Sequence, residues 1–477
     1  MSEINNIKKI FKKPLSLLSL VAINVIAIDS LRTLPISAEY GFAAVFYYLL
    51  AAIAFFFPVS LISAELATGW PETGGVYIWV REAFGKKIGF ATIWLQWFYN
   101  IVWYPTIMSL IAVTIAYVFD PSLENSKTYM LCVIMAVFWG ATWINCMGMK
   151  AASWLSNLSA IIGTLVPMFF IIALGIMWIW LDKPINMDFS VKSFFPHFQI
   201  NNMVLFVGIL FGLVGMEMSA AHANDVANPQ RDYPKAIFYS IILIMTTLVL
   251  GSLAISAVVP PKQLNIVSGL LQAFSLFFQA FHLTWIMPIM GILIVFGAIG
   301  GAAAWMLGPS KGMLVASRDG SLPKSLGKLS QRGAPVRMLM LQGFIFTILC
   351  SVFILMPSVS SAFWVLTDVT SILALLVYVA MFPAAIKLRY KFPDKPRAFK
   401  VPGGKIGIWV TSTVGVMTCL FAIVISFVPP SQIPVGSTTI YETIIITGVI
   451  LGCAVPFLLM WFSKNRCVLG KSNVDSP

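Results

Sequence analysis

Charge is what this 477-residue chain has least of: Asp, Glu, Lys and Arg together make up 10% of it, against about 25% in an ordinary soluble domain. A water-facing surface cannot be built from so little. The longest hydrophilic stretches, roughly 308–335 and 387–405, are too short to enclose a core of their own. A separate soluble domain is therefore not expected, nor the signalling module that a membrane amino acid sensor, the alternative to a transporter, would be expected to carry. Histidine is scarce as well. His197, His222 and His282 lie far apart, and the six cysteines (132, 146, 350, 419, 453 and 467) show no C-x-x-C or zinc-ligand spacing. This argues against a metal centre and a disulfide framework, and leaves the thiols as small apolar residues. There is no H-E-x-x-H, G-x-S-x-G or P-loop, and no paired-carboxylate site, so neither a membrane enzyme nor a cofactor is expected. A filter-like loop is also missing, which argues against a channel.

What the chain does have is 59% hydrophobic residues. A stretch of about 20 apolar residues crosses the hydrocarbon of a bilayer. Such stretches are read near 15–37, 42–68, 88–118, 128–147, 153–181, 203–223, 234–258, 284–307, 336–357, 363–386, 406–428 and 440–462. They predict an all-α membrane protein of twelve spans, with a tail at 1–14, one transporter-sized domain at 15–462 and a short tail at 463–477. The net charge of +13 reports topology rather than nucleic acid. Twenty-six of the 31 basic residues fall on one set of alternating segments, while Lys127, Lys183, Lys192 and Lys262 hold the other side. By the positive-inside rule both termini face the cytoplasm, and the partner of the surface is the lipid bilayer of the cell membrane. The apolar stretch after Lys8, Lys9, Lys12 and Lys13 is too long for a signal peptide and reads as a retained span.

Two spans do not read as plain membrane helices. The first contains Asp29-Ser30-Leu31-Arg32-Thr33-Leu34-Pro35, and the sixth contains Gly212-Leu213-Val214-Gly215-Met216-Glu217. Free backbone groups and charges are costly in lipid, so such interruptions persist where they line a cavity or bind a solute. Interruptions at corresponding places in two halves point to a transporter of inverted repeats with a site near the midplane. Here the repeats would run about 15–181 and 203–386, with peripheral helices at about 406–462.

Three sequence stretches carry a family resemblance. Glu65-Leu66-Ala67 with Gly74-Gly75-Val76-Tyr77-Ile78-Trp79-Val80 follows the second span. Asn224-Asp225-Val226-Ala227-Asn228-Pro229-Gln230-Arg231-Asp232-Tyr233-Pro234-Lys235-Ala236 follows the sixth, and Gly308-Pro309-Ser310-Lys311-Gly312-Met313 follows the eighth. In this order and spacing the chain resembles the amino acid–polyamine–organocation transporters, most closely their glutamate/γ-aminobutyrate antiporter group. The resemblance implies a LeuT-like fold of two inverted five-helix repeats plus two peripheral helices, with helices 1 and 6 broken. It also implies alternating access, with substrate held between the two breaks and walled by Trp305 and Tyr378. The chain departs from that group at Gly300-Gly301-Ala302-Ala303-Ala304, where the group carries an acidic residue. It departs again after Phe462, where about 15 residues follow in place of a longer extension. Glutamate specificity and acid gating are therefore not implied.

A zwitterionic substrate offers a carboxylate and an ammonium, and broken helices supply partners for both. The amides of 30–34, Ser30, Thr33 and a bidentate Arg32 suit the carboxylate. Carbonyls freed around Gly212, Gly215 and Met216 suit the ammonium. Asp29 and Arg32, three apart, either pair with each other or meet substrate. Glu217 either recognises the ammonium or couples protons, or else makes a structural hydrogen bond to helix 1 or helix 8. Asp368 and His222 are further gating candidates, and Glu65 is expected to be tied to the glycine-rich loop that follows it. Trp97, Trp103 and Tyr104 are candidate walls. The fifth span has no midplane lysine, with Lys150 only at its mouth, which favours exchange over proton-coupled symport of an amino acid or polyamine. Arg32 suits an acidic substrate side chain, whereas Asp29 and Glu217 suit a basic one.

Overall fold

The computed structural model describes residues 16–72, 74–147, 159, 161–196, 200–218, 228–322, 326–330 and 334–472. His197, Lys150 and His222 lie outside them, and the gating role expected of His222 with it. Among the described residues the chain is helical, with no strand. Eleven helices among the described residues are long and apolar enough to cross a membrane. In chain order these are α1 (Leu17–Ala38), α2 (Ala43–Gly69), α3 (Lys86–Phe119), α4 (Lys127–Cys146), α5 (Ile162–Trp180), α7 (Arg231–Val258), α8 (Thr284–Arg318), α9 (Val336–Leu355), α10 (Val359–Lys391), α11 (Gly404–Ile425) and α12 (Thr438–Trp461). Of the sixth expected span the described part is a shorter apolar segment, α6 (Leu205–Met218), whose helical run ends at Gly212.

Depth within the bundle follows from what each helix carries. Along α3, 78% of the most apolar stretch is buried, against 17% along α12, so α3 is the central post and α12 a lipid-facing one. In lipid the apolar faces gain little by leaving their surroundings, so packing rests on close approach of small residues and on hydrogen bonds between helices. Both occur here. Helix α1 is fixed along α7 by Asn24 Nδ2 donating to Ser240 Oγ at 3.1 Å, Thr247 Oγ1 donating to Asp29 Oδ2 at 2.9 Å, and Ser256 Oγ donating to the Ala38 carbonyl at 2.8 Å. At Gly163 in α5 and Gly297 in α8 the two backbones touch, and a Cβ on either glycine would overlap the other's main chain. Gly297→Ala must therefore push the helices apart. A loss of about 1–3 kcal/mol is expected for such overpacking, read as a fall in Tm of the purified protein.

At the end of the bundle that carries the basic loops, two ionic clusters tie helices together. Glu65, near the end of α2 and 1% exposed, accepts from Arg389 Nε at 2.9 Å, from Arg389 Nη2 and from the Val401 amide at 2.8 Å, with Arg397 Nε at 3.8 Å. Glu65 is thus tied to the end of α10 and the segment after it, not to the glycine-rich loop. That loop instead leads into a short helix, Val76–Phe84, and the spacing there brings Tyr77 and Arg81 onto one side. Both donate to Asp319 Oδ2 just beyond α8, at 2.6 and 2.7 Å.

Burial opposes ionisation of Asp319, but the hydrogen bonds from Tyr77 and Arg81 and the charge of Arg81 outweigh it and hold its carboxyl below the ordinary value. A depressed carboxyl contributes stability above its unfolded pKa of about 4 and loses it as pH falls further. Asp319→Asn is expected to lower Tm at pH 7, with the gap to the parent closing below about pH 4. A gap that persists in acid would show that the carboxylate charge is not responsible.

Candidate functional site

Helix α1 is broken where the sequence places Asp29 and Ser30. The helical run Leu17–Ile28 ends at Asp29, whose backbone turns extended (ψ 99°) while its amide still reaches the Val25 carbonyl. Ser30 is extended as well, and the chain re-enters helix through a tight turn, Leu31–Thr33, followed by Leu34–Ala38. Pro35 sits in the first turn of that second half, where its missing N–H costs no hydrogen bond. Thr33 stabilises the break itself, its hydroxyl donating to the Ser30 carbonyl at 2.8 Å.

Helix α6 breaks opposite. Its helical run Leu205–Gly212 ends one residue before Leu213 leaves helical geometry, and Gly215 takes φ +130°, which side chains with a Cβ rarely adopt. A Cβ there would lie 3.2 Å from the Ala27 carbonyl, Ile28 and Trp305, and one at Gly212 would lie 3.4 Å from Thr33. The two interruptions therefore face each other at van der Waals distance, and glycine is what lets them do so.

Two hollows adjoin the breaks. The first is lined by Ala27, Ile28, Ser30, Arg32, Thr33, Tyr99, Asn100, Trp103, Phe211, Gly212, Val214 and Trp305. The second shares Ala27, Ser30, Trp103 and Trp305 and adds Asp29, Thr164, Ala298 and Gly301 among others. Trp103 and Trp305, with ring centroids 6.1 Å apart, are common to both.

The charged candidates occupy distinct places. Asp29 and Arg32 are both buried, at 2% and 3% exposure, but they do not neutralise each other as a pair. Asp29 turns to Thr247 in α7, whereas Arg32 makes a long hydrogen bond from Nη1 to Thr367 Oγ1 (3.4 Å) and lies over the rings of Phe211 and Phe363, 5.5 Å from each. Arg32 Nε and Asp29 Oδ1 are buried without a hydrogen-bond partner. The break at Asp29 and Ser30 explains the divergence, because the i, i+3 relation holds only on a continuous helix.

Glu217 and Tyr378 lie outside the lining of both hollows and brace the α6 break from behind. Tyr378 Oη donates to Glu217 Oε2 at 2.6 Å and accepts from the Gly215 amide at 3.2 Å, and Gln96 Nε2 of α3 makes a long contact to Glu217 Oε1 at 3.5 Å. The structural partners of Glu217 are thus α10 and α3, not α1 or α8. Met216 is buried beside this brace. Asp368 is in the lining of neither hollow. It accepts from Tyr441 Oη of α12 at 2.8 Å, which makes it a contact between α10 and α12.

Ser30, Arg32, Thr33, Gly212 and Trp305 are brought together around the first hollow, with Trp103 among the candidate walls. Tyr99, Asn100, Phe211 and Thr164 were not anticipated. The signal for two of them lies in α3, where Gln96 and Asn100, and Tyr99 and Trp103, recur four apart and so share a face. In a span expected to be apolar, that polar and aromatic face marks a lining.

Two broken helices meeting at buried hollows inside a multi-pass bundle define a membrane transporter of small solutes. The chain belongs to the amino acid permease family, whose sequence profile matches residues 15–450, and so to the amino acid–polyamine–organocation superfamily. It is similar to an uncharacterised transporter of Legionella pneumophila, 51% identical over 95% of this chain and 97% of that one. It is also similar to a glutamate/γ-aminobutyrate antiporter of Lactococcus lactis, 30% identical over 98% of this chain and 93% of that one. A probable agmatine/putrescine antiporter of the same species is 24% identical over 82% of this chain and 83% of that one. These relatives are transporters and not enzymes.

Proposed function

We propose that this amino acid transporter works by exchange, releasing one amino acid or amino acid derivative for each it takes up, through alternating access around the first hollow. The observation that carries the reading is Arg32, a guanidinium 3% exposed that lines this hollow with no acidic partner among the described residues. A buried charge is costly unless compensated, and the two phenyl rings beside it compensate only in part. A substrate carboxylate supplies the rest, bidentate to Arg32 with Ser30 and Thr33 alongside. The α-ammonium then turns toward the α6 break around Gly212, Gly215 and Met216. Kinship with two antiporters supports exchange, as does an α5 without lysine.

The wider frame belongs to the same proposal. The two breaks open inverted repeats at about 15–181 and 203–386, α11 and α12 flank them, and both ends of the chain lie on the cytoplasmic side of the cell membrane, where the basic loops gather. Liposomes loaded with a radiolabelled amino acid test the exchange. Efflux is expected to accelerate at least about tenfold when unlabelled amino acid is added outside and to stay near leak without it. Rapid efflux into substrate-free buffer that follows an imposed pH gradient would instead establish proton-coupled symport.

A further inference from the structure

The basic residues that gather between 387 and 405 are not all engaged by the joint that holds α2 to α10. Arg389 and Arg397 answer Glu65, whereas Lys387, Lys391, Lys395, Lys400 and Lys405 make no ion pair among the described residues, and Asp394 is the one carboxylate in that stretch. Their counter-charge comes from outside the chain. Lys405 is the best placed of them. It opens α11 and is the only charge on that helix, and its ammonium lies over the ring of Tyr390 at the end of α10, 5.2 Å from the centroid. The Tyr390 hydroxyl accepts from Trp409 Nε1 at 3.2 Å, which leaves its own proton to donate outward. Arg389 fixes this corner by donating to the Gly404 carbonyl, one residue before Lys405. Tyr390 and Trp409 are both about half-exposed, and amphipathic rings of this kind settle at the headgroup level of a bilayer.

An apolar stripe leads away from the corner. Ile406, Val410, Met417, Phe421 and Val424 are all exposed and recur three, four or seven apart, so they share one face of α11. A single amphiphile fits both parts, its phosphate on the Lys405 ammonium and the Tyr390 hydroxyl and its acyl chain along the stripe. The lysines around the corner favour a head of net negative charge over one that carries its own ammonium. We propose that the corner between α10 and α11 is a binding site for an anionic phospholipid, held through its phosphodiester by Lys405 and Tyr390 and through one acyl chain by α11. The site is independent of what the transporter carries.

Dioleoyl phosphatidylglycerol and dioleoyl phosphatidylcholine, alike in their chains, are offered in equal amounts to the full-length protein in detergent, and native mass spectrometry reads their ratio in the first lipid retained. Phosphatidylglycerol is expected to lead by at least about fivefold, the scale of one lysine at an anionic headgroup. Lys405→Gln is expected to bring the ratio within about twofold, and Lys405→Arg to keep it. Lys400→Gln, at an exposed lysine of the same segment, is expected to leave it unchanged. An equal ratio in the parent protein overturns the site, as does a preference that survives in Lys405→Gln. An equal loss in Lys405→Gln and Lys400→Gln also overturns it, because it marks diffuse surface charge and not a site. Release of the lipid by millimolar glycerol 3-phosphate overturns the lipid as occupant and puts a soluble phosphate in its place.

Discussion

Glu65→Ala is expected to cost the protein about 3–5 kcal/mol, the loss seen when one member of a buried ion pair is removed and the other stays behind uncompensated. Two cations would be stranded. Arg397 is 1% exposed in its side chain and Arg389 10%, and the Val401 amide loses its acceptor as well. Neither arginine can relax easily to water. Arg389 Nη1 is held by the Gly404 carbonyl, and Arg397 donates from Nη2 to the Leu388 and Phe392 carbonyls with its guanidinium over Trp70. The stranded charge therefore loosens the joint between α2 and α10. The measurement is Tm in detergent, and Glu65→Gln, which keeps the acceptor and removes the charge, separates the ionic from the hydrogen-bonding share. A Tm within a degree or so of the parent for Glu65→Ala would show that the cluster is solvated in practice and contributes little.

Tyr378→Phe is expected to reduce transport by about 10–100-fold while leaving the protein folded, because one hydroxyl serves two partners at the α6 break. Its loss leaves the Gly215 amide and the Glu217 carboxylate without their shared group. A hydrogen bond to a charged group contributes about 1.5–3 kcal/mol, and about 1.4 kcal/mol is a factor of ten in rate or affinity. Glu217→Gln distinguishes what the carboxylate does. The amide oxygen can still accept from Tyr378, so a bracing role predicts that most of the exchange rate survives with an unchanged pH profile. A role in moving protons predicts a flattened profile. Initial rates of exchange between pH 5 and 8 decide between them, and full activity in Tyr378→Phe would remove the brace from the mechanism.

How far the site was legible depended on whether its signal was local. The breaks at Asp29 and Gly215 could be read because charge and glycine inside an apolar run are costly in lipid wherever the chain goes next. The partners could not. Asp29 and Arg32 look like a pair when counted along a helix, yet the break that makes them interesting also rotates them apart, to α7 and to α10. Glu217 is separated from Tyr378 by 161 positions and Glu65 from Arg389 by 324, and no periodicity links residues so far apart. Asp368 carries the same lesson: a carboxylate within a span suggests either packing or a vestibule, and only the fold shows that Tyr441 of α12 meets it.

The amino-acid sequence alone determined that this is a bundle of membrane-spanning helices, and where two of them must fail, because hydrocarbon penalises every exposed charge and every unpaired peptide group residue by residue. Only the tertiary structure decided how the buried charges are partnered: Arg32 lines one hollow with no acidic neighbour among the described residues, while Asp29 turns to Thr247 of α7. Pairing in a low-dielectric interior depends on distances between helices that are remote in the chain, and those distances exist only once the bundle has closed.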